Sequence, residues 1–198
     1  MRKYLAECIG TFILTLAVLF SLAGVIPVWV STPLVAGLTL GFFVFLIGPV
    51  SGAHLNPAIT LAVWTARKMD SGDVMPYVIM QFIGGGIGYW VSRMFSLTSV
   101  TFLPANGGLV FLGEALGAFF LSLGVASAVY ERTPHFWRGI VVGGALWIGG
   151  WVGASLATGV VNPAVAFGLN AFTWMHAVGP IAGAILGMHA FRFISRSS

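Results

Sequence analysis

The chain has 198 residues, 58% of them hydrophobic and 7% charged, with a formal net charge of +4. Soluble domains carry charge on about a quarter of their residues, so this composition excludes one. The single cysteine, Cys8, excludes an intrachain disulfide and a cysteine-built metal site; it reads as a small buried apolar residue.

The apolar residues fall into six nearly uncharged runs, at 4–26, 32–50, 74–92, 109–130, 139–157 and 174–191. Each approaches the ~20 residues that carry a helix across ~30 Å of hydrocarbon. The sequence therefore predicts a polytopic, all-α membrane protein. The first run reads as a span and not as a cleaved signal, because it is full-length, contains Glu7 and lacks a small-residue cleavage site near its end. Six spans put both termini and every second loop on one side. Arg2, Lys3, Arg67, Lys68, Arg132, Arg138, Arg192 and Arg196 fall there, and Arg93 falls opposite. The positive-inside rule then predicts cytoplasmic termini in a cell membrane. The basic excess is topology, and no nucleic-acid partner is implied.

The first run opens on ECIGTF at 7–12, which returns as EALGAF at 114–119 in the fourth. After the second run comes SGAHLNPAIT, and after the fifth ATGVVNPAVAF, each holding Asn-Pro-Ala. Glu7 and Glu114 are 107 positions apart, and Asn56 and Asn162 are 106 apart. Two motifs sharing one offset predict an internal repeat, about 1–105 and 106–198, within a single channel domain. Each half holds three spans, an odd number, so the second enters from the opposite side. Inverted repeats of this kind recur in transport proteins.

The segments after the triplets, 58–67 and 164–173, are too short to cross, since ten helical residues rise ~15 Å. Pro57 and Pro163 suit a first helical turn, and Asn56 and Asn162 are preferred N-caps. Two re-entrant half-helices follow, meeting N-terminus to N-terminus at mid-membrane with Ala58 and Ala164 in their first turns. Irregular backbone at that depth is tolerated where it is buried in protein or lines a water-filled cavity. The glycine- and serine-rich lead-ins, GPVSGAH and GASLATGVV, could supply a ladder of carbonyls. Asn56 and Asn162 would present amide donors at the pore centre, and the helix N-termini a positive potential. Such a path passes neutral hydrogen-bonding solutes and opposes cations.

The paired triplets, the SGAHLNPAIT context and the AECIGTF opening resemble the aquaporin and glycerol-facilitator (major intrinsic protein) family. That resemblance covers essentially the whole chain. It implies six tilted helices, two half-helices, one pore per subunit, no cofactor and a homotetramer in the lipid bilayer. It also implies that Glu7 and Glu114 hydrogen-bond the re-entrant backbone, and that His54 belongs to that loop scaffold. In the family an Arg usually follows the second triplet and forms an outer filter; here Val165 stands there. Counting back from the asparagines assigns the other filter positions to Ala36, Gly150 and Gly159, where water channels commonly carry an aromatic, a His and a small residue. The familiar glycerol-facilitator Asp is also missing, since 165–168 reads VAFG.

The expectation is a passive channel for water and small neutral solutes, such as glycerol or urea, with a wide, Arg-free outer filter. The alternatives are a water-selective pore narrowed by other side chains, Trp147 or Trp151 among them, and a poorly conducting, structural or ion-leaky member. His135 reads as solvated in a cytoplasmic turn, His176 as a candidate for the outer vestibule, and the loop 95–108 as a candidate lid. Five acids, one cysteine and four scattered histidines provide no convincing catalytic set. No P-loop appears, and an alternating-access transporter usually carries central carboxylates for a coupling ion.

Overall fold

The computed structural model describes residues 1–27, 29–95 and 107–195. Six long helices form where the apolar runs lie: α1 (Arg2–Leu22), α2 (Thr32–Ser51), α4 (Ser71–Met94), α5 (Gly108–Val129), α6 (Arg138–Leu156) and α8 (Trp174–Ile194). All six are long and apolar enough to span a bilayer. Two short helices, α3 (Pro57–Thr65) and α7 (Pro163–Gly168), follow the triplets. A 3-10 turn, His135–Trp137, leads into α6. The candidate lid at 95–108 lies largely outside the described residues.

The boundaries differ from the sequence expectation where the backbone turns left-handed. The first span stops at Leu22, before a turn with Gly24 at φ 73° and Pro27 beyond it. The half-helices are shorter than ten residues, with nine in α3 and six in α7. Arg67 at φ 59° and Asn170 at φ 55° close them. The N–H groups of Lys68 and Ala171 then donate back to the carbonyls of Val63 and Ala166, a Schellman-type ending. The lead-ins are shorter too. Gly48–Ser51 completes α2 and Gly153–Leu156 completes α6, leaving only 52–55 and 157–161 as irregular backbone before the asparagines.

Packing joins the halves. α1 lies against α2 and α4, α5 against α6 and α8, and α2 against α6. Each half-helix crosses over, α3 onto α8 and α7 onto α4. With lipid tails as apolar as leucine, helix association rests on close van der Waals contact through small residues. The sequence clusters at 84–88 and 143–150 serve this end: a Cβ on Gly84 would strike the Cys8 carbonyl, and one on Gly143 the Gly37 carbonyl. On α8, Gly179, Gly183 and Gly187 form one stripe against the carbonyls of Phe111, Ala115 and Phe119 on α5. Away from the core, Trp29, Trp64, Trp90, Trp137 and Trp174 are exposed near helix ends, as interfacial anchors are.

The glycine stripe gives a direct test. Gly183→Val forces α5 and α8 apart and should lower stability by about 1–3 kcal/mol, the usual range for overpacking. Gly108→Ala, where a Cβ meets nothing, should leave the midpoint unchanged. Thermal unfolding in detergent, followed by tryptophan fluorescence, distinguishes the two.

Candidate functional site

The irregular backbone before each triplet contains residues in the left-handed region, which non-glycine side chains rarely adopt. Ala53 (φ 50°) and Leu55 (φ 48°) lie before Asn56; Gly159 (φ 63°) and Val161 (φ 51°) lie before Asn162. For Ala53, Leu55 and Val161 such strain, of order 1–3 kcal/mol per residue, persists only where the surroundings over-determine it. Two buried carboxylates help to do so. Glu7 accepts from the backbone N–H of His54 (3.0 Å) and Leu55 (2.6 Å), and from Gln81 Nε2 (2.8 Å). Glu114 accepts from the N–H of Val160 (2.9 Å) and Val161 (2.6 Å), and from the Thr158 hydroxyl (2.6 Å). Both glutamates are fully buried.

With those N–H groups turned toward the glutamates, the carbonyls of Leu55 and Val161 face the other way. Each meets the asparagine of the other half. Asn56 Nδ2 donates to Val161 O (2.9 Å), and Asn162 Nδ2 donates to Leu55 O (2.8 Å). The side-chain oxygens cap the half-helices. Asn56 Oδ1 accepts from Ala58 N–H (2.9 Å), while Asn162 Oδ1 accepts from Ala164 N–H (3.0 Å) and Val165 N–H (3.3 Å). One amide hydrogen of each asparagine is thereby committed to structure, and an NH₂ group has two. Pro57 and Pro163 occupy the first helical positions, next to Ala58 and Ala164, and all four are buried.

Beside this pair the protein is hollow. On the terminus side a mouth of ≈ 520 Å³ is lined by residues including Val44, His54, Val125, His135 and Arg138. It adjoins a neck of ≈ 20 Å³ that shares His54 and includes Asn56 and Asn162. The neck shares Ala36, Leu146, Val160 and Val165 with a far-side mouth of ≈ 240 Å³. All four positions counted out for the outer filter, Ala36, Gly150, Gly159 and Val165, line that far-side mouth. Trp147 and Trp151 do not line the conduit. Trp147 borders an outward groove between α2 and α6, and Trp151 is 69% exposed.

Three histidines are placed in ways the sequence did not specify. His54 Nδ1 lies 3.2 Å from Thr60 Oγ1, on the far side of which Gln81 reaches back to Glu7. His135, expected to be simply solvated, is exposed and also lines the terminus-side mouth. His176, a vestibule candidate by sequence, is 1% exposed and stands behind the loop. Its Nε2 lies 3.0 Å from Thr158 Oγ1 and its Nδ1 2.9 Å from Thr173 Oγ1. Since the Thr158 hydroxyl donates to Glu114, the set closes when Nε2 donates to Thr158 and Nδ1 accepts from Thr173. His176 thus braces Glu114 through Thr158, a role no local motif signals.

Six apolar helices around two half-helices, whose N-termini meet beside a conduit, define a membrane channel. The family is given by comparison with known proteins. The major intrinsic protein family model matches residues 1–191, and the chain belongs to that family. Membership places it among channels and outside the enzymes. Similar proteins include a probable aquaporin, AqpM, of Archaeoglobus fulgidus, 27% identical over 98% of this chain and 97% of the relative. A glycerol uptake facilitator protein-like 6 of Lactiplantibacillus plantarum is 30% identical over 97% of each. The fold matches the crystal structure of the aquaglyceroporin from Plasmodium falciparum with a TM-score of 0.76, at 20% identity, covering 98% of this chain and 95% of that one.

The carboxylate clamp is testable with one isosteric change. Glu7→Gln replaces one acceptor oxygen by an NH₂ that faces a backbone N–H. Leaving one buried donor unpaired should lower stability by about 1–3 kcal/mol. Osmotic water flux per folded channel in proteoliposomes should fall with it, whereas Gln at this position with undiminished flux would show that the clamp is dispensable.

Proposed function

We propose that the protein is a passive channel for water and small neutral solutes, such as glycerol or urea, with a far-side filter that is wide and free of arginine. The observation that carries this reading is the run of adjoining cavities from one mouth to the other, passing both asparagines. Relatives named as aquaporins and as a glycerol facilitator support water and glycerol as the solutes. At the filter positions Gly150 and Gly159 contribute no side chain, and Ala36 and Val165 contribute small apolar ones. No fixed cation and no aromatic ring stands among these four positions, so a solute meets little obstruction there.

Against ions, the barrier in this reading is the centre. The N-termini of α3 and α7 bring partial positive charge to the neck. A cation arriving there finds N–H donors, where it would need acceptors. The repeat of about 1–105 and 106–198 accounts for the pairing of Glu7 with Glu114 and of Asn56 with Asn162. Cytoplasmic termini in a cell membrane and assembly as a homotetramer belong to the same reading. The eight-to-one distribution of basic residues supports the orientation.

Stopped-flow light scattering on proteoliposomes tests the filter. Val165→Arg places a guanidinium in the far-side mouth, and glycerol and urea flux should fall by about tenfold, equivalent to ~1.4 kcal/mol of added barrier, with water reduced less. A parent that passes water alone, with Val165→Arg behaving the same, would contradict a wide filter.

A further inference from the structure

We propose that the terminus-side mouth holds a binding site for the phosphate monoester of a small polyol, built on Arg138 and His135, and that its occupant closes the conduit. The site stands on the geometry of the mouth, and only the closure rests on the channel reading above. The mouth is a cavity of ≈ 520 Å³, inside the ~300–1,000 Å³ usual for small-molecule sites. Its titratable lining is His54, His135 and Arg138, and no acidic side chain lines it. Among the described Lys and Arg residues, Arg138 alone lines any of the three conduit cavities. It is part-buried and held in place. Its Nε donates to the Thr133 carbonyl (3.3 Å), and the Thr133 hydroxyl lies 2.9 Å from Ser127 Oγ. The two terminal guanidinium nitrogens have no protein partner among the described residues, where the one ion pair is Lys3–Asp73. An arginine held by Nε presents those nitrogens as a fork that fits two phosphate oxygens. His135 adds an imidazole N–H, which the ring carries whether neutral or charged.

The repeat shows that the fold does not demand this charge. Arg138 opens α6, and Thr32, 106 positions earlier, opens α2. Thr32 lines the far-side mouth as Arg138 lines the terminus-side one. Equivalent positions thus flank both mouths, and only the terminus side carries a cation there. Arg67, Lys68, Arg132 and Arg192 line no part of the conduit and already supply the orientation bias. The N-terminus of α6 adds partial positive charge to the same wall. An anion drawn to this wall cannot follow a neutral solute inward, because a phosphate would have to shed its hydration in the buried neck. The mouth shares His54 with the neck that holds Asn56 and Asn162. A ligand with hydroxyls at one end can direct them along the path of a neutral polyol and leave its phosphate on Arg138. Inorganic phosphate has only half of that complementarity. A lipid phosphate shares the chemistry, but its acyl chains hold it in the bilayer, outside a mouth that leads inward to the neck.

Isothermal titration calorimetry on the detergent-solubilised chain, with glycerol 3-phosphate as probe, should give one site per chain with a dissociation constant of about 1 mM. Arg138→Gln should weaken binding about tenfold, the usual loss for one charge-assisted hydrogen bond. Arg192→Gln, in the last turn of α8, should leave it unchanged. His135→Gln, in an exposed turn, should weaken it as well and covers the case in which Arg138→Gln does not fold. Stopped-flow water permeability is then measured on phosphatidylcholine proteoliposomes. With the probe at about 3 mM on both faces, about three-quarters of the mouths are filled and permeability should fall about fourfold. No binding to the folded parent, or equal binding by both mouth variants, would overturn the site. Inorganic phosphate binding as tightly would overturn the polyol ester as its ligand. A block that disappears when phosphatidylglycerol is added to the vesicles would overturn the soluble source in favour of a lipid headgroup. Binding with undiminished water flux would overturn the closure. A parent that binds the probe but shows no water flux above empty vesicles would overturn the channel reading and leave the site standing.

Discussion

Two residues, Leu55 and Val161, hold the rest of the structure in place. Each is strained into the left-handed region and gripped from both ends: its N–H by the glutamate of its own half, its C=O by the asparagine of the other. In hydrocarbon, irregular backbone exists only if its polar groups are answered locally. The clamps answer them and also lock the halves together, because neither asparagine can reach its carbonyl unless both loops are seated. A buried carboxylate in a span is otherwise unfavourable. Here Glu7 and Glu114 each receive three donors and so act as structural acceptors.

Transport properties follow from where this scaffold leaves space. The clamps fix the amides beside the smallest of the three adjoining cavities, and the glycine contacts of α2, α4, α6 and α8 bring the long helices close around it. Small side chains line the far-side mouth, and the neck beyond it is lined mainly by apolar side chains together with His54, Asn56 and Asn162. In the proposed channel the half-helix N-termini oppose cations at that level. Trp147 and Trp151 point outward and do not narrow the far mouth.

Much of the fold could be read from the chain, because its strongest signals are length and repetition. Six apolar runs became six helices with ends shifted by a few residues, and Pro57 and Pro163 correctly marked where the half-helices start. The four filter positions, obtained by counting, lie around one mouth. What could not be read depends on contacts between the halves. Nothing local says that Asn56 will bond to a carbonyl 105 residues away, or that His176 will turn inward to Thr158. The early end of α7 reflects Asn170 entering the left-handed region, a choice that many asparagines do not make.

The central claim is that a continuous, water-filled path runs through one chain past Asn56 and Asn162. The temperature dependence of osmotic water permeability in proteoliposomes tests it most directly. A water-filled path predicts permeability well above that of empty vesicles, with a shallow temperature dependence like that of bulk water diffusion. Permeability equal to that of empty vesicles, with the steep dependence of passage through lipid, would contradict it.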